Sequence, residues 1–180
     1  MPSQSVHGLG RRRLRIVAEG SLREEALEGS DAVREALPVE PEVVVADLTE
    51  RVSSSRNRMR GQVNAVRFLE SIGTDPRREE LVLLLISDDI YIDGFNFCFG
   101  LAYGKSAVVS VYRLRSRDRQ LYLRRVRKEV VHEVGHMLGL KHCRDSSCVM
   151  FFSNSIEDTD RKGETLCQRC AATLQRIAVS

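Results

Sequence analysis

The side chains able to do chemistry crowd into one stretch, His132-Glu133-Val134-Gly135-His136-Met137-Leu138-Gly139-Leu140-Lys141-His142-Cys143. His132 and His136 have the i, i+4 spacing that stacks side chains on one face of a helix, where one zinc ion can take both imidazoles. Glu133 projects about 100° further round that helix. It can reach a water on the metal without being a ligand. Gly139 can take a backbone conformation that a residue with a Cβ resists, so the helix can end there and the chain turn back to bring in His142. Three protein ligands leave a fourth position open, the arrangement of a catalytic and not a structural zinc. The chemistry such a set supports is peptide hydrolysis. The metal acidifies a water, Glu133 takes its proton as it attacks a peptide carbonyl, and the proton then passes to the leaving amine. The remaining histidine of the 4 is His7, so the concentration argues against a chance polar patch.

A second set follows at once. Cys143, Cys148, Cys167 and Cys170 form two short-spaced pairs, the signature of a closed tetrahedral four-thiolate zinc. Two disulfides are the alternative arrangement. Cys143 adjoins His142, so the two sets share a backbone link. Cys98 stands apart and reads as a small buried hydrophobe; as a nucleophile it would need a base, and the histidines downstream are committed to metal.

The full pattern, H-E-x-x-H-x-x-G-x-x-H-C-x4-C-x-M with a later C-x-x-C, resembles the archaemetzincins, a branch of the metzincin zinc peptidases with an added four-cysteine zinc site. The resemblance extends to Phe152-Ser153-Asn154-Ser155 and Asn96-Phe97-Cys98-Phe99-Gly100, and it covers residues 89–170. The connection between Met150 and Cys167 is one residue shorter than the family pattern. The resemblance implies a metzincin-like fold with a catalytic zinc and a structural zinc. It implies that Met150 sits in a tight turn beneath the histidines without binding metal. It also implies that a strand around Phe97-Cys98-Phe99-Gly100-Leu101 edges the cleft and pairs with an extended peptide substrate. Some metzincins place a tyrosine shortly after this Met as an oxyanion donor. Phe151 and Phe152 stand there instead. That departure keeps a second reading open, a weakly active or inactive zinc-stabilised peptide-binding protein of the same fold.

The elements that must position these residues alternate. Residues 14–18 read as a strand. Ser21 and Glu24 offer a capping box for a helix over 22–37, weakened near Gly29. Pro38 and Pro41 punctuate, and residues 43–46 read as a buried strand. A helix over 54–71 would place Met59, Val63, Val66 and Leu69 on one face, closed by Gly73-Thr74-Asp75-Pro76. Residues 81–86 are the most buried strand candidate. This β-α-β-α-β run gives an α/β fold, a mixed but mostly parallel sheet with covering helices. No Gly-rich phosphate loop follows the first strand, which sets aside a nucleotide-binding protein.

Residues 87–94 are rich in carboxylates but lack a twelve-residue calcium pattern, so a turn is expected. Residues 95–103 and 106–112 read as strands around a tight Gly104-Lys105 turn. The site helix is expected over 116–138 and a last helix over 166–177. One catalytic domain spans 1–180, with an N-terminal subdomain (1–139) carrying the site helix and a C-terminal subdomain (140–180) carrying the cysteines.

With 42% hydrophobic and 29% charged residues and a net charge of +3, the 180-residue chain has a soluble globular composition. It has no apolar run long enough to span a membrane, and no apolar region follows the basic N-terminus as in a secretory signal. The reading is a cytoplasmic monomer whose reduced thiols are free for metal, acting on peptide or unfolded protein. Between Arg113 and Lys128 eight cations face one acid, Asp118. A solvated, Arg-rich helix face is the expected explanation. Nucleic acid is disfavoured because no aromatic platform accompanies it, and an acidic peptide partner is the third possibility.

Overall fold

The computed structural model describes residues 11–73 and 79–179. The N-terminal half runs β1 (Arg12–Ala18), α1 (Arg23–Ala36), β2 (Val39–Val45), α2 (Thr49–Ser54), β3 (Arg56–Asn57), β4 (Gln62–Asn64) and α3 (Ala65–Ser71). There follow β5 (Leu81–Ile86), β6 (Ile90–Tyr91), β7 (Gly100–Tyr103), β8 (Ser106–Ser110), α4 (Arg119–Met137), α5 (Ile156–Arg161) and α6 (Gln168–Val179). The main sheet has the order β2-β1-β5-β8-β7. Its first four strands are parallel, and β7 returns antiparallel to β8 at the edge.

The continuous apolar run of β5 explains the layering. All six of its residues are buried, and strand alternation sends them to opposite faces. Leu81, Leu83 and Leu85 join one core with α1 and α4. Val82, Leu84 and Ile86 join a second with α2 and α3. The α/β fold with a mostly parallel sheet is therefore as the sequence indicated. Among the described residues no helix is long and apolar enough to cross a membrane.

Several local expectations change. The capping box at Ser21 is not made; a 3-10 turn over Gly20–Leu22 leads in, and the helix starts without a side-chain cap. Gly29 does not break α1. A Cβ there would come within 3.0 Å of Val130 Cγ2, so this glycine lets α1 lie close on α4. The strand expected as buried at 43–46 is β2, an edge strand whose later residues are only partly covered. Pro41 pairs opposite Leu14 within it, a position where a missing N–H is tolerated. The strand read over 14–18 begins earlier, as β1 at Arg12, and residues 1–10 lie outside the described residues.

The helix expected over 54–71 forms only in its last third. The Asn57 side-chain oxygen accepts the N–H groups of Met59 and Arg60, and Gly61 turns at φ 68, which builds a small hairpin. Val63 then lies in β4, paired with Ile90 of β6, while Met59 is 99% exposed. Asn64 caps α3 by accepting from the Arg67 N–H. Of the turn expected to close this helix, Gly73 has φ 72, and Thr74, Asp75 and Pro76 lie outside the described residues.

The basic stretch is not simply solvated. Arg119 pairs with Glu24 and Glu25, and Arg127 with Glu28, Glu35 and Glu164. Arg125 grips Asp160 with two nitrogens, both at 2.7 Å, and Lys128 donates to the carbonyls of Thr159 and Asp160. These cations clamp α4 to α1 on one side and to α5 on the other. The carboxylates of 87–94 are likewise engaged. Asp89 takes two hydrogen bonds from Arg113, at 2.8 and 2.7 Å, and Asp88 pairs with Arg56.

Candidate metal centres

Helix α4 carries His132, Glu133 and His136 in its last turns. It is held at its start by Asp118, whose side chain accepts from the N–H groups of Gln120 and Leu121. It ends at Gly139, where φ is 97, the left-handed conformation that closes a helix. Gly139 N–H donates to the His136 carbonyl and Leu140 N–H to the Gly135 carbonyl. The chain reverses, and His142 returns to the two helical histidines. Ring centroids lie 4.6 Å apart for His132 and His136, 5.3 Å for His132 and His142, and 4.7 Å for His136 and His142.

The ring nitrogens are already sorted. His132 Nδ1 donates to the Val149 carbonyl and His136 Nδ1 to the Leu140 carbonyl, each at 2.8 Å. A carbonyl can only accept, so both Nδ1 atoms carry hydrogen and both Nε2 atoms carry the lone pair. The two Nε2 atoms stand 3.0 Å apart, near the spacing of about 3.3 Å that two nitrogens on one tetrahedral zinc would have. Burial, first of all, pushes the pKa of each of the three rings below the usual histidine value, with His132 furthest down. Neutral rings with aligned lone pairs are what a cation needs.

Glu133 is buried at 5% exposure. Loss of solvent and the nearby Glu129 raise its pKa to about 8, against the pull of Lys162. Gly100, at the start of β7, faces it. A Cβ at Gly100 would lie 2.6 Å from Glu133 Oε1, so only glycine leaves that carboxylate its place. Met150 is fully buried beneath α4, and a Cβ on Gly135 would lie 2.5 Å from its sulfur. Phe152 puts its ring 4.8 Å from that of His142 and offers no hydroxyl. Phe97, Cys98 and Phe99 come just before β7 and line the same cleft with Gly100 and Leu101. Cys98 bridges to Ile90, and burial pushes its thiol up to about 12.

The four cysteines converge immediately behind. Their sulfurs lie within 4.8 Å of one another, and no cysteine is in a disulfide. Cys143 and Cys167 sulfurs are 3.8 Å apart, close to the edge of about 3.8 Å expected for sulfurs 2.3 Å from a tetrahedral zinc. N–H donors point at the sulfurs from Asp145 to Cys143, from Cys167 to Cys148 and from Arg169 to Cys143. Against the upward pull of burial, such donors bring Cys143 down to about 7, whereas burial dominates at Cys148 and Cys170 and raises both. The donor sets thus fit two different ions, one with nitrogen and an open side, one closed with sulfur.

Lys162, which the sequence did not single out, is 0% exposed and 2.8 Å from Glu129 Oε1. It also lies 3.5 Å from His132 Nδ1, but that nitrogen already donates to Val149, so the ammonium is a neighbouring charge there and not a hydrogen-bond donor. Thr159 adds a hydrogen bond to the same carboxylate oxygen. Glu129 stands four residues before Glu133 on α4, so this buried pair backs the whole histidine–glutamate face. Gly163 then passes so near Ser147 that a Cβ would meet its carbonyl at 2.1 Å.

A parallel sheet covered by helices, edged by one antiparallel strand and faced by converging histidines beside a buried carboxyl, defines a zinc metallopeptidase. Its relatives say which kind. The model of peptidase family M54 matches residues 31–176, and the chain belongs to that family, the archaemetzincins. It is 47% identical over 122 residues to the archaemetzincin of Methanopyrus kandleri, an alignment covering 67% of this chain and 70% of that protein. The crystal structure of an archaemetzincin from the same organism superposes with a TM-score of 0.84 at 38% identity, covering 98% of this chain and 100% of that one. The archaemetzincin from Archaeoglobus fulgidus, crystallised with malonate, gives 0.78 at 36% identity, covering 89% and 98%.

Replacing Lys162 by Met leaves the buried Glu129 without its ion-pair partner. Chemical denaturation should show a loss of about 3–5 kcal/mol, partly recovered when Glu129→Gln is added. A single variant as stable as the wild type would contradict the role assigned to the pair.

Proposed function

We propose that His132, His136 and His142 hold the catalytic zinc and that Glu133 is the general base of peptide hydrolysis. The observation that carries this reading is the direction of the rings. Backbone carbonyls take Nδ1 of His132 and His136, and the two Nε2 atoms turn toward each other within reach of His142. Zinc, when bound, supplies Lewis acidity that acidifies a water and polarises a carbonyl.

The protein's own groups do the rest. The outer edge of β7, reached through Phe97, Cys98 and Phe99, offers free backbone groups to an extended peptide beside the histidines. Glu133 accepts the proton of the attacking water and delivers it to the leaving amine. Burial raises its pKa to about 8, and a zinc ion held by the neighbouring histidines would draw it back down toward the ionised form that accepts a proton. Met150 supports the floor of α4 without being a ligand. Phe151 and Phe152 supply no hydroxyl, so no tyrosine donor to the oxyanion follows Met150, and bound zinc would supply that stabilisation.

Cys143, Cys148, Cys167 and Cys170 hold a second, structural zinc, giving two per chain. That zinc fastens α6 to the loop leaving the catalytic histidines, and the part from residue 140 onward forms the lower side of the cleft within a single domain. Free thiols throughout fit a reducing compartment such as the cytoplasm. The substrates on this reading are peptides or unfolded segments, handled by a monomer.

Glu133→Gln should lower kcat/KM on a peptide library by about 10²–10⁴-fold while metal analysis still finds two zincs per chain; undiminished turnover would sink the base assignment. Binding of peptides by the wild type without any cleavage would leave a zinc-stabilised binding protein. Cys167→Ser should reduce zinc content below two per chain and lower the melting temperature, because the closed site contributes directly to folding. Full zinc content and wild-type melting in that variant would contradict the second site.

A further inference from the structure

We propose that Gln62, braced by Arg60, is a positioning residue for the peptide substrate, fixing the cleft wall over residues 95–97 in the shape that the substrate meets. This rests on the reading of the cleft as the peptide site.

Phe95, Asn96 and Phe97 line the cleft together with the histidines and Glu133. They belong to the connection between β6 and β7, and residues 92–97 join no strand ladder. An irregular segment keeps one shape only if its backbone groups find partners that repay the cost of ordering it. The segment's own turn supplies one, from the Phe95 N–H to the Ile92 carbonyl at 3.1 Å. The Phe95 and Asn96 carbonyls are taken by the small hairpin of β3 and β4. Arg60 donates to both, at 3.1 and 2.9 Å, and the Gln62 amide donates to the Asn96 carbonyl at 2.9 Å. The Asn96 oxygen therefore has both lone pairs engaged.

Gln62 is the joint of this brace. It is buried, and each of its amide atoms has a partner. The amide nitrogen also donates to Asp89 Oδ2 at 2.9 Å, and the amide oxygen accepts from Arg60 Nε at 2.9 Å. Asp89 in turn is gripped by Arg113, whose guanidinium lies 4.3 Å from the centre of the Phe97 ring. The Arg60 guanidinium lies 4.0 Å from the centre of the Tyr91 ring. One side chain thus couples the Asn96 carbonyl to the cation that backs Phe97. Gln62, Arg60, Asp89 and Arg113 do not themselves line the cleft, so they act through the wall and not on the substrate. Without the brace, a peptide would have to order the wall as it binds, which costs affinity and leaves the chemistry on α4 alone.

The test uses zinc-loaded protein and a peptide from the library, comparing the wild type with Gln62→Leu, Arg60→Met and Met59→Ala. Met59 belongs to the same hairpin but is 99% exposed, and it serves as the control. Gln62→Leu should raise KM about threefold or more, as expected when a hydrogen bond is lost. Its kcat should stay within about twofold of the wild type, the sign of lost binding with intact chemistry. Arg60→Met should move KM the same way, and Met59→Ala should change neither constant. An unaltered KM in Gln62→Leu would overturn the assignment. So would a fall in kcat at constant KM, or an equal rise of KM in the Met59 control, either of which marks a general loosening of the fold. Should Gln62→Leu fail to fold, the exposed Arg60 decides, and a wild-type KM in Arg60→Met overturns the brace. If the wild type cleaves no peptide at all, the hydrolytic reading fails on its own. Equilibrium binding of peptides then decides the brace, with about threefold weaker binding by Gln62→Leu upholding it and equal affinity overturning it.

Discussion

One peptide bond joins a ring of the histidine cluster to a thiol of the cysteine cluster, and the rest of the structure is arranged around that constraint. His142 is exposed toward the cleft, whereas Cys143 is buried. The backbone between them is held in place by the Cys143 N–H, which donates to the Met150 carbonyl at 2.8 Å, and by the bridge from Cys143 to Phe151. Whatever fastens the cysteines therefore also fastens the third histidine and the turn that carries Met150. A small C-terminal segment has too little apolar surface to fix such a turn by burial alone, and metal ligation is the usual substitute.

Helix α4 answers the same constraint from the other side. Its site face must hold two histidines and a carboxylate in place, yet it is buried among polar groups that burial alone would penalise. Arginines on its outer faces clamp it to α1 and α5, and Arg125 grips Asp160 with two nitrogens. The Glu129–Lys162 pair sits behind the site, joining the helix to the segment that runs on to Cys167. Gly29, Gly100 and Gly135 each remove a Cβ where a neighbour needs the room, beside Val130, Glu133 and Met150 respectively. The geometry of the site is thus a product of close packing on three sides and not of the motif alone.

Much of this was legible in the sequence because spacing encodes it. The i, i+4 histidines define a helix face, Gly139 marks its end, and paired cysteines announce their cluster. The six-residue apolar run of β5 could only be a central strand. What was not legible depends on partners distant along the chain. The expected helix over 54–71 failed because Val63 pairs with Ile90 in a small second sheet, and its apolar spacing suits a short strand as well as a helix. The basic stretch looked solvated because its acids lie far off, with Arg119 and Glu24 separated by 95 positions. Lys162 carries no local signal at all, since a lone lysine after a short helix reads as surface. Gly100 was noticed, but as part of a strand and not as the space that Glu133 occupies.

The central claim is that one chain holds two metal environments of different chemistry joined in series. Zinc-edge X-ray absorption on the zinc-loaded protein tests it most directly. The account predicts two superposed shells, sulfur at about 2.3 Å and nitrogen or oxygen at about 2.0–2.1 Å, in a ratio close to four sulfurs and four lighter ligands per two zincs. Replacing His136 by Ala should weaken the light-atom shell and leave the sulfur shell intact. A single environment of mixed sulfur and nitrogen ligands, or no sulfur shell, would contradict the account.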